Sequence, residues 1–337
     1  TCFIAIASQR EEPAMRHLRL VVASLIVLLA APLPARAWEP TKPIEFVIPA
    51  GTGGGADQMA RLIAGIAEKH KLTPRPIVVV NKSGGAGAEG FLHVKGKKGD
   101  AHTIIITLSN LFTTPLHTGV PFSWKDLTPV ARLALDRFIL WVNAEVPAKT
   151  AKEYLAAVKE KNGTAKMGGT GSAQEDQIIT VQVEQAQGVK FTYVPFKGGG
   201  EVCVNLVGKH VDSTVNNPIE CVSHWKAGRV RPLAVFDPER IPEAEWKDIP
   251  TVKEALGSDI QYQMLRGIFG APDMPKDAVD WYVGFLKKVY DSPEFQDYLH
   301  KGALKGAFTT GPEYVKWLES ADALHRDLMT KGGLLKK

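Results

Sequence analysis

Ile44-Glu45-Phe46-Val47-Ile48-Pro49-Ala50-Gly51-Thr52-Gly53-Gly54-Gly55-Ala56-Asp57 is an apolar run of strand length that stops at a proline and breaks into a cluster of glycines. Just beyond it, Met59, Leu62, Ile63, Ile66 and Ala67 fall at i, i+3, i+4, i+7 and i+8, one face of a helix. Two more continuous apolar runs, residues 77–80 and 103–108, have the composition of parallel strands buried on both faces. Strand, helix and strand in this order predict an open parallel sheet with helices on its faces. A second glycine turn, Ser83-Gly84-Gly85-Ala86-Gly87-Ala88-Glu89-Gly90, follows the second run. Each turn places backbone N–H groups at a helix start, where the helix dipole favours an anion.

The pattern resumes after a crossing segment around residues 138–142. Thr150 with Glu153 and Ser172 with Glu175 read as capping boxes before helices. Short strands are expected over 165–168, near 191–194, over 212–215 and over 232–236. Residues 237–257, rich in proline and charge, read as a surface excursion before the chain returns through 261–269, and helices from about residue 276 close it. The fold class is therefore α/β, with two lobes and a ligand cleft between them. Residues 38–138 and 262–337 make the first lobe and 139–261 the second.

A leader precedes this body. From Met15 a basic segment with Arg16, His17 and Arg19 leads into an apolar run over 20–33 and then Ala35-Arg36-Ala37, the order of a secretory signal peptide over 15–37 cleaved after Ala37. The expected compartment is the periplasm. No later stretch supplies the roughly 18 consecutive apolar residues of a membrane helix. Residues 1–37 carry four Arg and two Glu, so without them the net charge of +5 becomes +3, too small a balance to suggest nucleic acid. Cys203 and Cys221 then remain, permitting one disulfide or two buried thiols.

Several chemistries fail on the residues. Gly51-x-Gly53-x-x-Ala56 has the form of a dinucleotide fingerprint, but the second strand is followed by Asn81, where a ribose would need a carboxylate. No phosphate-binding G-x-x-x-x-G-K-[ST] is present. Ser172 lies in Gly169-Thr170-Gly171-Ser172-Ala173, which lacks the order of a nucleophile elbow. The histidines show neither H-x-H nor H-x-x-x-H spacing, so no metal and no cofactor are expected. Trp38, Trp141, Trp225 and Trp281 are read as packing or rim residues. What remains is a set of glycine turns at 52–57, 83–87, 169–172 and 197–200, spread over both lobes and suited to a small anion.

Taken in order, Pro49 with the glycines up to Asp57, Asn81-Lys82-x-Gly-Gly-Ala-Gly, Lys125-Asp126-Leu127-Thr128-Pro129-Val130, Val194-Pro195-Phe196-Lys197-Gly198-Gly199-Gly200, Gly208-Lys209-His210-Val211-Asp212 and Asp248-Ile249-Pro250-Thr251-Val252-x-Glu254-Ala255 run through essentially the whole exported chain. They resemble the signature stretches of the Bug family, also called TctC-like proteins, the extracytoplasmic solute-binding components of tripartite tricarboxylate transporters. The resemblance implies a type II periplasmic binding-protein fold that closes on an organic carboxylate and delivers it to membrane permease subunits, without bond chemistry. A monomer is expected. Carried to matching positions, it implies ligand contacts from Thr52, Gly53 and Asp57 in the first loop and from Ser109 and Asn110 after the third strand. In the second lobe it implies Thr170, Gly171, Ser172 and Lys197, with Asn216, Asn217 and Pro218 after a later strand.

One position departs from the family pattern. Many members carry a histidine three residues after the serine of the second-lobe loop, and this chain has Glu175. The Gly-Ser-x-x-Glu-Asp stretch, Asn-Asn-Pro and Arg266-Gly267 resemble the branch binding tricarboxylates and C4-dicarboxylates such as malate, succinate, fumarate or citrate. Arg266 either pairs with a distal ligand carboxylate or makes a structural ion pair at the hinge. Competing functions are an exported α/β enzyme acting on a carboxylate, whose titratable candidates are Asp57, Glu175 and Asp176, and a sensor subunit.

Overall fold

The structure, a computed structural model, describes residues 38–336, so the leader expected over 15–37 lies outside the described residues. β1 (Ile44–Ile48), α1 (Gly55–Lys69), β2 (Ile77–Asn81), α2 (Ala88–Lys95) and β3 (Thr103–Thr107) form the expected βαβαβ start, with β2 and β3 both parallel to β1. Phe46, Val47 and Ile48 of β1 and all of β3 are buried. β2 is different: it lies at the sheet edge with Val78 49% exposed, so its continuous apolar run does not mean burial on both faces. α3 (Asn110–Thr118) follows, then β4 (Thr128–Asp136).

Only Arg137 and Phe138 separate β4 from β5 (Ile139–Asn143), which belongs to a second sheet. There follow α4 (Ala151–Glu160), β6 (Lys166–Thr170), α5 (Glu175–Gln187), β7 (Thr192–Phe196), α6 (Gly199–Val207), β8 (Ser213–Asn216), α7 (Pro218–Lys226), β9 (Val230–Val235) and α8 (Val252–Leu256). β10 (Met264–Gly270) returns to the first sheet, and α9 (Lys276–Tyr290), α10 (Pro293–Lys301), β11 (Lys305–Thr310) and α11 (Gly311–Lys331) complete the described chain. The strand orders are β11-β4-β10-β3-β1-β2 and β7-β6-β8-β5-β9. In each sheet parallel strands joined by helices meet antiparallel strands near the crossing: β10 is antiparallel to β3 and β4, and β5 to β8 and β9. Among the described residues no helix is long and apolar enough to cross a membrane.

Two further expectations are corrected. Thr150 and Glu153 do form a capping box, but Ser172 and Glu175 do not: α5 begins after Gln174, without a side-chain cap. The amides before it are taken by other acceptors, Asp176 Oδ2 for the Thr170 N–H and Gln177 Oε1 for the Ala173 N–H. The excursion over 237–257 also does more than cover the surface. Its Ile241, Trp246 and Ile249 are buried in the second lobe's core, where Trp246 packs on Trp141 and Trp225 with ring centroids 6.2 and 4.7 Å away. The charge and proline around these apolar anchors mask them in a composition-based reading.

Cys203 and Cys221 are bridged, with Cα atoms 5.7 Å apart, joining α6 to α7 inside that core. Closing a loop of this length restricts the unfolded chain by about 3 kcal/mol. Replacing both cysteines by alanine should lower the urea unfolding free energy by roughly that amount; an unchanged midpoint and slope would mean that the bridge contributes nothing.

Candidate functional site

A cleft of about 650 Å³ opens where the C-terminal ends of β1, β2 and β3 face those of β6 and β7. Open α/β sheets bind ligands at this end of their strands, because loops leaving neighbouring strands diverge there and expose backbone N–H groups. The first lobe contributes Ser83 to Gly87, with Pro49, Ala50, Leu108, His117 and Thr118. The second contributes Thr170, Gly171, Ser172, Gln174, Lys197 and Glu201, with Pro195 and Phe196.

Both facing loops hold left-handed backbone. On the first, Gly85, Ala86 and Gly87 have φ of 60°, 57° and 93°; on the second, Gly171 and Ala173 have φ of 58° and 55°. Ala86 and Ala173 lack glycine's freedom, and such conformations persist only where surrounding contacts fix them. The Ala86 carbonyl is so fixed: it accepts from Thr114 Oγ1 at 2.7 Å and, across the cleft, from Gln174 Nε2 at 3.1 Å. Gly87 permits no side chain, since a Cβ there would lie 2.6 Å from both the Pro49 carbonyl and Asn110 Nδ2.

The sequence-derived candidates divide by location. Thr170, Gly171, Ser172 and Lys197 line the cleft. Asn110 is buried behind it, its Nδ2 donating to the Pro49 carbonyl at 3.0 Å and so joining two of the loops. Ser109 is fully buried and meets Tyr262 Oη at 2.8 Å, and Tyr262 in turn meets His325 Nε2 at 2.7 Å. Burial pushes His325 down to about 4, so its ring is neutral at physiological pH.

The first glycine turn does not line the cleft; protein acceptors hold it. The Gly51 N–H donates to the Lys197 carbonyl at 3.0 Å, the Gly53 N–H to Asp57 Oδ2 at 3.0 Å, and the Gly55 N–H to Glu220 Oε1 at 2.7 Å. Thr52 and Gly53 are exposed at the tip of the turn. Asp57 is buried; burial works to raise its pKa, but hydrogen bonds from Arg61, the Gly53 N–H and Asn81 hold the carboxyl below its ordinary range. Asn81, the uncharged residue that argues against a dinucleotide site, is thus a donor to Asp57 at 3.0 Å.

Arg266 lies at the crossing between the lobes, almost fully buried. Its Nε donates to Asp136 Oδ2 at 3.0 Å, and Nη2 reaches both Asp136 and Asn217 Oδ1. Burial works against its charge, and Asp136 together with Tyr298 and Glu220 more than offsets this, leaving Arg266 more basic than in water. Asn217 is bound there too, its Nδ2 donating to the Arg137 carbonyl at 2.8 Å. The ion pair of the second reading is present, and Arg266 Nη1 has no hydrogen-bond partner among the described residues.

Glu220 escaped the sequence reading. It stands in the first turn of α7, where an acidic residue is commonplace, and nothing local reveals that it reaches the other lobe. Glu220 is half-buried, whereas Glu175 is buried, with Oε2 lacking a hydrogen-bond partner among the described residues. Burial pushes it up to about 7, Asp136 reinforcing the shift and Arg266 opposing it. Asp176 is pushed up by burial and by Glu175. Among the described residues no group of three His, Cys, Asp or Glu is placed to hold a metal.

A sequence profile described as the tripartite tricarboxylate transporter family receptor, TctC, matches residues 59–334. This chain belongs to that family. Its members are solute-binding proteins, and the two-lobed fold agrees with theirs. A relative from Cupriavidus necator, known as the UPF0065 protein in the gbd 5′ region, is 27% identical over 322 residues, covering 94% of this chain and 96% of its own. A solved periplasmic transporter is 25% identical, with a TM-score of 0.82 over 88% of this chain and 99% of its own. MatC from Rhodopseudomonas palustris, solved with bound malate, is 22% identical with a TM-score of 0.77, covering 86% of this chain and 99% of its own.

The elevated Glu175 gives this TctC protein a specific pH response. A carboxyl that titrates near 7 when folded and near 4.5 when unfolded contributes stability that is complete below about 4.5 and is lost as pH rises through about 7. The urea midpoint should therefore fall between pH 5.5 and 8, and Glu175→Gln should reduce that fall; an equal slope in the variant would reject the assignment.

Proposed function

We propose that this protein captures a small organic di- or tricarboxylate, such as malate, succinate, fumarate or citrate, in the cleft between its lobes and delivers it to the membrane subunits of a tripartite tricarboxylate transporter. The observation that carries the reading is the pair of left-handed glycine loops, 83–87 and 170–174, facing each other across the cleft at the C-terminal ends of β2 and β6. The Gly84, Gly87, Thr170, Gly171 and Ala173 N–H groups are donated within the chain, and the loops they hold in shape form a concavity that suits a carboxylate through donors on side chains. Ser83, Thr170 and Ser172 add hydroxyl donors, and Lys197 adds a cation at the rim. MatC binds malate on the same architecture.

In this reading the Thr170 and Ser172 hydroxyls hold one carboxylate beside Gly171, whose N–H donates to the Phe196 carbonyl, while Lys197 pairs with a second. Thr52, Gly53 and Asp57 act indirectly, by keeping the first turn in the shape that meets the Lys197 loop. Ser109 and Asn110 support the cleft floor, and Asn217 and Arg266 set the crossing. Export through a cleaved leader would place the molecule in the periplasm as a monomer, with the permease as its partner.

A thermal-shift panel of C4 to C8 dicarboxylates, citrate, aromatic acids and amino acids tests the proposal. A ligand at 100 times its dissociation constant stabilises by about 2.7 kcal/mol, so a di- or tricarboxylate should raise the melting temperature clearly. Lys197→Met should weaken that ligand about tenfold, since a charge-assisted hydrogen bond contributes roughly 1.5–3 kcal/mol. Stabilisation by aromatic acids or amino acids alone would contradict the reading.

A further inference from the structure

The cap of α1 comes from the opposite lobe. Gly54, at the N-cap, has no side chain to offer the helix's first N–H groups, and the Gly55 N–H instead donates to Glu220 Oε1 at 2.7 Å. Glu220 belongs to α7, part of the second lobe, so this bond exists only while the lobes are together. Two glycines make room for it. A Cβ on Gly199 would overlap the Glu220 carboxylate, and one on Gly55 would overlap the Arg266 guanidinium. The Cys203–Cys221 bridge then ties α6, which begins at Gly199, to α7 one residue beyond Glu220. Carboxylate and glycine seat therefore travel as one piece when the lobes separate.

We propose that Glu220 is a positioning residue for solute capture, a clasp that fastens the second lobe to the leading helix of the first when neutral and loosens when it ionises. The electrostatic setting explains the dependence. Facing Glu220 are Arg266 from β10, Asp136 from the end of β4, Glu175 and Asp176 from α5, and Tyr298 from α10. Arg266 is already paired with Asp136, so an ionised Glu220 has no cation of its own. Loss of solvent pushes its carboxyl up to about 7, with Arg266 and the Gly55 N–H opposing. Apart, the lobes return it to water and its ordinary value near 4.5. The proton is thus held more tightly when the lobes are together, and closure is favoured at low pH and lost as pH rises through about 7.

The clasp rests on the family reading that the lobes open and close, but its test needs no solute, so it can fail while the carboxylate assignment stands. Small-angle X-ray scattering of the protein at pH 5.5 and 8.5 should give a larger radius of gyration at the higher pH. Glu220→Gln keeps the acceptor and cannot ionise, so it should stay compact at both. Glu220→Ala removes the bond and should be expanded at both, with circular dichroism verifying that it is folded. A wild type of constant dimensions, a Glu220→Gln protein that expands as much as wild type, or a folded Glu220→Ala protein as compact as wild type at pH 5.5 would each overturn the proposal. If the alanine variant does not fold, the glutamine comparison alone decides.

Discussion

The buried ion pair between Asp136 and Arg266 is the constraint on which the rest of this structure depends. The two residues are 130 positions apart, at the end of β4 and in β10, the strands that leave and re-enter the first sheet. Burying both charges is favourable only with close geometry and further hydrogen bonds. Arg266 meets that condition in part, reaching Asn217 of the second lobe while lying against Gly55 of the first, with Nη1 and Asp136 Oδ1 left without a partner among the described residues. One guanidinium thus fixes the crossing, the approach of α7 and the start of α1. Breaking the pair would leave an uncompensated charge at the point where the lobes meet.

From that point the two glycine turns of the first lobe acquire different work. The turn at 51–57 meshes with the loop at 197–200 backbone to backbone: a Cβ on Gly51 would lie 2.8 Å from the Lys197 carbonyl, and one on Gly200 2.7 Å from the Gly53 carbonyl. Its N–H groups at Gly51, Gly53 and Gly55 are donated to acceptors of the chain itself. The turn at 83–87 stands on the cleft wall opposite Thr170 to Gln174. Similar local chemistry therefore fastens the lobes in one place and shapes a solute wall in the other.

Much of this was legible from local pattern. The apolar run Ile44–Ile48 and the helical face from Met59 to Ala67 announce βαβ order, because burial demands are written every second or every 3.6 residues. Thr150 with Glu153 announced a helix start for the same local reason. What escaped depended on distant partners. β2 reads as a buried strand, yet lies at an edge, because strand order is set by the crossovers rather than by the strand's own residues. Trp246 is anchored by Trp141 and Trp225 from elsewhere in the second lobe. Arg266 could be a ligand arginine or a hinge arginine on sequence alone, and its partner Asp136 lies 130 positions away. Glu220 gave no signal at all, since an acidic residue in the first turn of a helix is ordinary until the opposite lobe supplies its donor.

The most direct test of this division of labour is a crystal structure of the protein with the di- or tricarboxylate that stabilises it most. The account predicts a ligand carboxylate between the 83–87 and 170–174 loops, with Glu220 still accepting the Gly55 N–H. A carboxylate seated on the N–H groups of Gly53 to Gly55, with Glu220 displaced, would contradict it.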